Sequence, residues 1–158
     1  MNEAALTSVI VTNADPEAHT HDLRDLFSDW RVVQLVLIAV QALSDEASGN
    51  EVDLTPRSRV LLTLLTYCYA VGIYSSEDIE WACRNEPGAS YICANKPAAP
   101  ATIRQFRRAN RVGIESCLAR VLAMAANSHP PADKAFCPLV SAQQKLEIAI
   151  MMDMATAD

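Results

Sequence analysis

Arg104, Arg107, Arg108 and Arg111 fall within ten residues, in the run TIRQFRRANR at 102–111. Offsets of three, four and seven place four such groups on one stripe of a helix. A guanidinium carries forked donors that fit phosphate oxygens and guanine edges. The chemistry such a stripe supports is contact with a polyanion, with Lys96 as an added phosphate contact. The rest of the chain makes this clustering informative. It has 13 Lys and Arg against 19 Asp and Glu, for a net charge of -6. Residues 96–125 hold six basic side chains and one acid, whereas residues 1–56 hold ten acids and two arginines. Net acidity gives no long-range pull on a polyanion, but the local field acts at contact. From spacing alone two other readings stay open. The stripe could pair with Asp22, Asp25 and Asp29 of an acidic N-terminal helix, or form a surface for a protein partner.

Other reactive residue types lack the spacing that chemistry needs. Cys68, Cys83, Cys93, Cys117 and Cys137 form no CxxC or CxxH pair, and with no export signal they are expected as reduced core residues. His19, His21 and His129 sit in loop-like sequence, where the pair at 19 and 21 could hold a metal only weakly. No nucleophile–base pair, Gly-rich phosphate loop or metal-ligand spacing is present. The expectation is a protein with no catalytic residues, no metal and no cofactor.

The elements that must position the arginines read as helices. Hydrophobic residues make up 51% of the 158, Gly is rare at four, and strong helix formers fill the long segments. Residues 1–20 are expected as a loose N-terminal arm, with TSVIVT at 7–12 the one strand candidate, and 21–158 as a single helical domain. From Asp22 onward, Leu23, Leu26, Phe27, Trp30, Val33, Leu37 and Val40 recur at helical spacing and predict one buried face. Residues 44–53 read as a loop. Thr55 as N-cap and Pro56 at the first position open a central core helix, which Gly72 ends in a left-handed cap. Its apolar run at 60–74 is 15 residues, short of the roughly 18–20 that span a bilayer, so no membrane partner is expected. Ser75 with Asp78 resembles a capping box, and Pro87 stops the helix they open. Residues 88–95 predict a short helix and 96–101 a stiff turn. Thr102 with Gln105 predicts a capped helix running to about Ala126, with Ile103, Phe106, Ile114, Cys117 and Val121 inward. Ser141 with Gln144 predicts a last amphipathic helix, its Met151, Met152 and Met154 mainly core.

Residues 55–111 carry a resemblance. Pro56, Tyr69, Gly72, Ile73, Ser75, Ser76, Ile79, Glu80, Ala82, Pro97, Pro100, Thr102, Ile103, Phe106, Arg107 and Arg108 follow a pattern similar to the N-terminal domain of bacterial insertion-sequence DDE transposases of the InsH-like group. Residues 115–125 continue it more weakly. The resemblance implies a helix-turn-helix-like trihelical unit of helices 76–85, 88–95 and 102–126, the last in the recognition position. It makes Lys96, Thr102, Arg104, Gln105, Arg107, Arg108 and Arg111 the candidate DNA-binding set. Two departures weaken that expectation. Glu77, followed by Asp78, stands where a basic residue is frequent in the family, and Pro97-Ala98-Ala99-Pro100 replaces a Pro-Asp-His turn. The family's nuclease domain needs three carboxylates converging on two metal ions. Asn127 to Val140 show no Asp-Gly-Thr step to begin it, so no DNA cleavage is expected.

The expected fold is therefore all-α, an orthogonal helical bundle with a helix-turn-helix-like trihelical unit. The expected function is non-catalytic, transposase-like DNA binding through the arginine stripe. The alternative is a helical interaction or assembly module derived from a transposase that has lost DNA binding. Partners would be DNA, a second copy or a full-length transposase, in a bacterial cytoplasm and on the nucleoid if DNA-bound.

Overall fold

The computed structural model describes residues 23–47, 55–132 and 134–156. The arm at 1–20, its strand candidate and the first two histidines lie outside them. The fold is all-α. A 3-10 turn at Leu23–Asp25 precedes α1 (Asp29–Ala47), α2 (Pro56–Ala70), α3 (Ser76–Asn85), α4 (Pro87–Ile92), α5 (Pro100–Ala109), α6 (Arg111–Ser128) and α7 (Pro138–Thr156). No strand occurs among the described residues.

The central helix is α2, whose ten residues from Leu61 to Ala70 are all buried. A helix apolar all round must lie inside a layer of others, and α1, α4, α5, α6 and α7 all pack on it. Its ends follow local chemistry. Thr55 Oγ1 accepts from the Ser58 N–H at 3.1 Å. At the other end Gly72 takes φ 86°, and the Ile73 N–H returns to the Cys68 carbonyl at 2.8 Å. That six-to-one closure needs a residue free to enter the left-handed region, which glycine does at no steric cost. Ser75 Oγ then accepts from the Asp78 N–H at 3.1 Å and opens α3. Pro87 ends α3 and serves as the first residue of α4, where a missing N–H costs nothing.

Several boundaries and faces differ from the sequence reading. Helix α1 runs on to Ala47, through the first four residues of the expected loop. Its buried face is Val32, Val33, Leu35, Val36, Ala39 and Val40, while Trp30 and Leu37 are exposed. The polar positions Arg31, Gln34, Gln41 and Asp45 mark the outward side of this helix, and counting Trp30 and Leu37 as core rotates the expected face toward them. The capping boxes at Thr102 and Ser141 do not form. Pro100 and Pro138 start their helices earlier, with Ala99 preceding α5 and giving no side-chain cap, and Ser141 is buried inside α7. Met151 and Met154 are each 67% exposed, not core. Four cysteines are buried and free as expected, but Cys137 is exposed.

Candidate nucleic-acid interface

The expected recognition helix is two helices. The chain leaves α5 at Asn110, which takes φ −126° and ψ 29° and donates both its backbone N–H and its side-chain amide to the Phe106 carbonyl. A single residue thereby closes α5, and α6 starts afresh at Arg111. The offset of seven from Arg104 to Arg111 loses its meaning, because an offset defines a stripe only along an unbroken helix. Ile103, Phe106, Ile114, Cys117 and Val121 are all buried as expected, so both helices are anchored through their apolar sides.

The four arginines do not form one free ridge. Arg107 is 4% exposed and Asp153 of α7 is 3% exposed, with Arg107 Nη1 2.6 Å from Asp153 Oδ2. The same nitrogen lies 3.4 Å from the Tyr69 hydroxyl of α2. Ile103, Phe106 and Arg107 share the inward side of α5, since positions three and four apart line one face. Burial weighs against the Arg107 cation, but the Tyr69 and Asp153 contacts outweigh it and raise its pKa. Burial also pushes the Tyr69 phenol up to about 12, with Arg107 pulling the other way.

Arg104 reaches the same cluster from the rim. Its Nη1 donates to Ser76 Oγ at 2.8 Å and lies 3.3 Å from Glu77 Oε2. Ser76 Oγ donates in turn to Asp153 Oδ1 at 2.9 Å, and the Ser76 backbone N–H donates to that oxygen at 2.8 Å. Asp153 therefore satisfies an unpaired N–H in the first turn of α3 from another helix, where the helix dipole favours a negative charge. Arg111 pairs with Glu115 at 3.1 Å, one turn along α6. The intramolecular carboxylates are thus Glu77, Glu115 and Asp153. Of the acids expected as partners, Asp22 lies outside the described residues, and Asp29 lies 3.7 Å from Arg24, which pairs with Glu86 at 2.8 Å.

The remaining members of the candidate set differ. Lys96, Gln105 and Arg108 are exposed and Thr102 is half-buried. Arg108 and Lys96 make no ion pair among the described residues. Arg108 borders a shallow groove of about 390 Å³ at the α5–α6 elbow, shared with Leu43, Leu62, Phe106 and Val112. Its walls bring together no nucleophile and base.

No family model, no curated protein and no solved structure matches this chain. The site must be read from its own geometry.

Sequence reasoning missed Asp153 and Lys145. Both are buried on α7, in register with Ala142, Leu146 and Ala149. Lys145 Nζ lies 3.2 Å from the Tyr74 hydroxyl and 5.7 Å from the centre of its ring, which stacks on Tyr69 at 6.1 Å. A signal was available: two opposite charges on the apolar stripe of one helix must find partners inside the fold. Among the described residues no group of three His, Cys, Asp or Glu side chains is placed to hold a metal ion. No helix among them is long and apolar enough to cross a membrane.

Proposed function

We propose that this chain is a helical protein-interaction or assembly module, of the ancestry that its likeness to transposase N-terminal domains suggests. The observation that carries the reading is the burial of Arg107 against Asp153. A polyanion can reach Arg107 only if that pair breaks, and breaking a buried pair leaves an uncompensated charge at a cost of about 3–5 kcal/mol. Arg104 and Arg111 are engaged with carboxylates as well. The apolar side chains left in solvent supply the positive case. Trp30, Leu37 and Ile38 on α1, Trp81 on α3, Tyr91 on α4 and Met151 and Met154 on α7 are all exposed. Of these, Trp30 meets Tyr91 edge to face at 5.3 Å and shares α1 with Leu37 and Ile38, and a contiguous apolar patch of that kind marks a contact site for another chain. A transposase carrying a related module is one candidate partner.

Site-specific photocrosslinking tests this. A photoreactive residue at Leu37, Trp81 or Met154 is expected to capture protein, and one at Arg108 to capture little nucleic acid. Crosslinks confined to nucleic acid, or none from the apolar positions, would overturn the reading.

A second reading keeps DNA contact through Lys96, Gln105 and Arg108, favoured by the exposure of all three. Two cations displace few counterions, so this binding would be weak and its salt dependence shallow. A low-salt mobility shift that disappears in Arg108→Ala would support it.

A further inference from the structure

The interaction reading leaves the partner open, and the outward stripe of α1 narrows it. Arg31, Gln34, Ile38, Gln41 and Asp45 are all exposed and fall within a narrow band of the helix at 100° per residue. Ile38 is 53% exposed at its centre, with Leu37 and Trp30 along one edge. The edge-to-face pair of Trp30 and Tyr91, ring centroids 5.3 Å apart, extends the apolar surface onto α4.

The order of charges along this band is symmetric. Arg31 lies seven residues before Ile38 and Asp45 seven residues after it. At 1.5 Å per residue each charge stands about 10 Å from the central isoleucine. Two copies of such a helix laid antiparallel about a two-fold axis at Ile38 bring Ile38 against Ile38. Each Arg31 then meets the partner's Asp45, and Gln34 falls opposite the partner's Gln41 and Ala42. A two-fold interface uses one patch on both subunits, so the patch must be complementary to itself. A spacing of seven residues between the central and flanking positions also suits helix pairing along a seam. Arg31 makes no ion pair among the described residues; its contact is with Gln34 at 3.4 Å. Asp45 is engaged within its own chain, accepting from the Gln41 amide at 2.8 Å among its contacts, and its negative charge still attracts a cation set opposite it.

We propose that this chain self-associates through α1, as an antiparallel two-fold dimer centred on Ile38 with Arg31 and Asp45 pairing across the axis. The proposal rests on the interaction-module reading and names its partner as a second copy. Parallel pairing is disfavoured, because it sets Arg31 against Arg31 and Asp45 against Asp45. The seam is one helix wide and about 28 Å long at its full 19 residues. It buries less than a standard interface, so the dimer is expected to be reversible.

Sedimentation equilibrium of the intact chain over a concentration series tests it. The unmodified chain is expected to shift from monomer toward dimer with concentration. Ile38→Glu should abolish the shift while leaving the circular dichroism spectrum unchanged, and the melting temperature unchanged at concentrations where the unmodified chain is monomeric, since the side chain is exposed. Arg31→Asp and Asp45→Arg should each weaken association tenfold or more by setting like charges opposite each other. The double variant Arg31→Asp/Asp45→Arg should recover most of the affinity. A chain that stays monomeric throughout overturns the proposal, as does a dimer indifferent to Ile38→Glu or one that the double exchange fails to restore. If self-association fails while the apolar positions still crosslink to protein, only this inference falls. If both fail, the interaction reading falls with it.

Discussion

A single carboxylate, Asp153, sets the character of the arginine cluster. It meets the Arg107 guanidinium, the Ser76 hydroxyl and the Ser76 N–H, joining α7 to α3 and α5. Arg107 Nε has no hydrogen-bond acceptor, so the guanidinium is not fully satisfied and the pair is held chiefly by charge. Such a pair is a weak source of net stability, but removing one half is costly. Asp153→Ala is therefore expected to lower unfolding stability by about 3–5 kcal/mol in urea titrations. The double variant Arg107→Met/Asp153→Ala should recover only part of that loss, because no buried cation is left unpaired but the Ser76 N–H and hydroxyl still lack their acceptor. If Asp153→Ala unfolds like the unmodified chain, the pair is not formed in solution, and Arg107 is not withheld from DNA.

At the scale of elements, the crossing of α2 and α4 depends on Gly88. A Cβ added there would stand 2.6 Å from Tyr67 Cζ and closer still to the hydroxyl. Tyr67 is fully buried and cannot swing aside, so the helices themselves must separate. Gly88→Ala is expected to cost about 1–3 kcal/mol, read as a lower melting temperature. Adding Tyr67→Phe should return only part of it, because the ring carbon still collides. Full stability in Gly88→Ala would mean that the helices cross less closely than described. Nothing in PGASYI, the sequence of α4, announces this contact. The glycine reads as a helix breaker until the fold sets a tyrosine against it. The same division runs through the chain. Thr55, Gly72, Ser75 and Pro87 signalled their boundaries correctly, because caps and stops depend on a few neighbouring residues. The partner of Arg107 depends on a residue distant in sequence. Arg107 and Arg108 are adjacent, and only the packing of α7 buries one and leaves the other in solvent.

At the scale of the whole molecule, several thiols and phenols lie inside the hydrophobic core. Burial pushes the Cys83 and Cys117 thiols up to about 12 from the ordinary 9.0. It does the same to the Tyr67 and Tyr69 phenols, from 10.0 to about 12, with the Asp29 charge adding to the shift at Tyr67 and Arg107 opposing it at Tyr69. The Cys68 thiol is likewise held well above its usual range by burial and by the neighbouring cysteines. All of these groups are neutral when protonated, and all hold the proton more tightly folded than unfolded. Below pH 9.0 both states keep these protons, so the contribution to stability is complete. Between pH 9.0 and about 12 the unfolded chain releases them while the folded chain retains them. Stability must fall wherever the native state binds the more protons. The urea midpoint, followed by far-ultraviolet circular dichroism along a pH series, is therefore expected to be unaffected by these groups at neutral pH and to drop steeply above 9.0. Cys117→Ser should flatten only its own share of the drop. A midpoint that holds level into the alkaline range would mean that these thiols and phenols reach water in the folded chain, and the core joining α2, α3 and α6 would have to be redrawn.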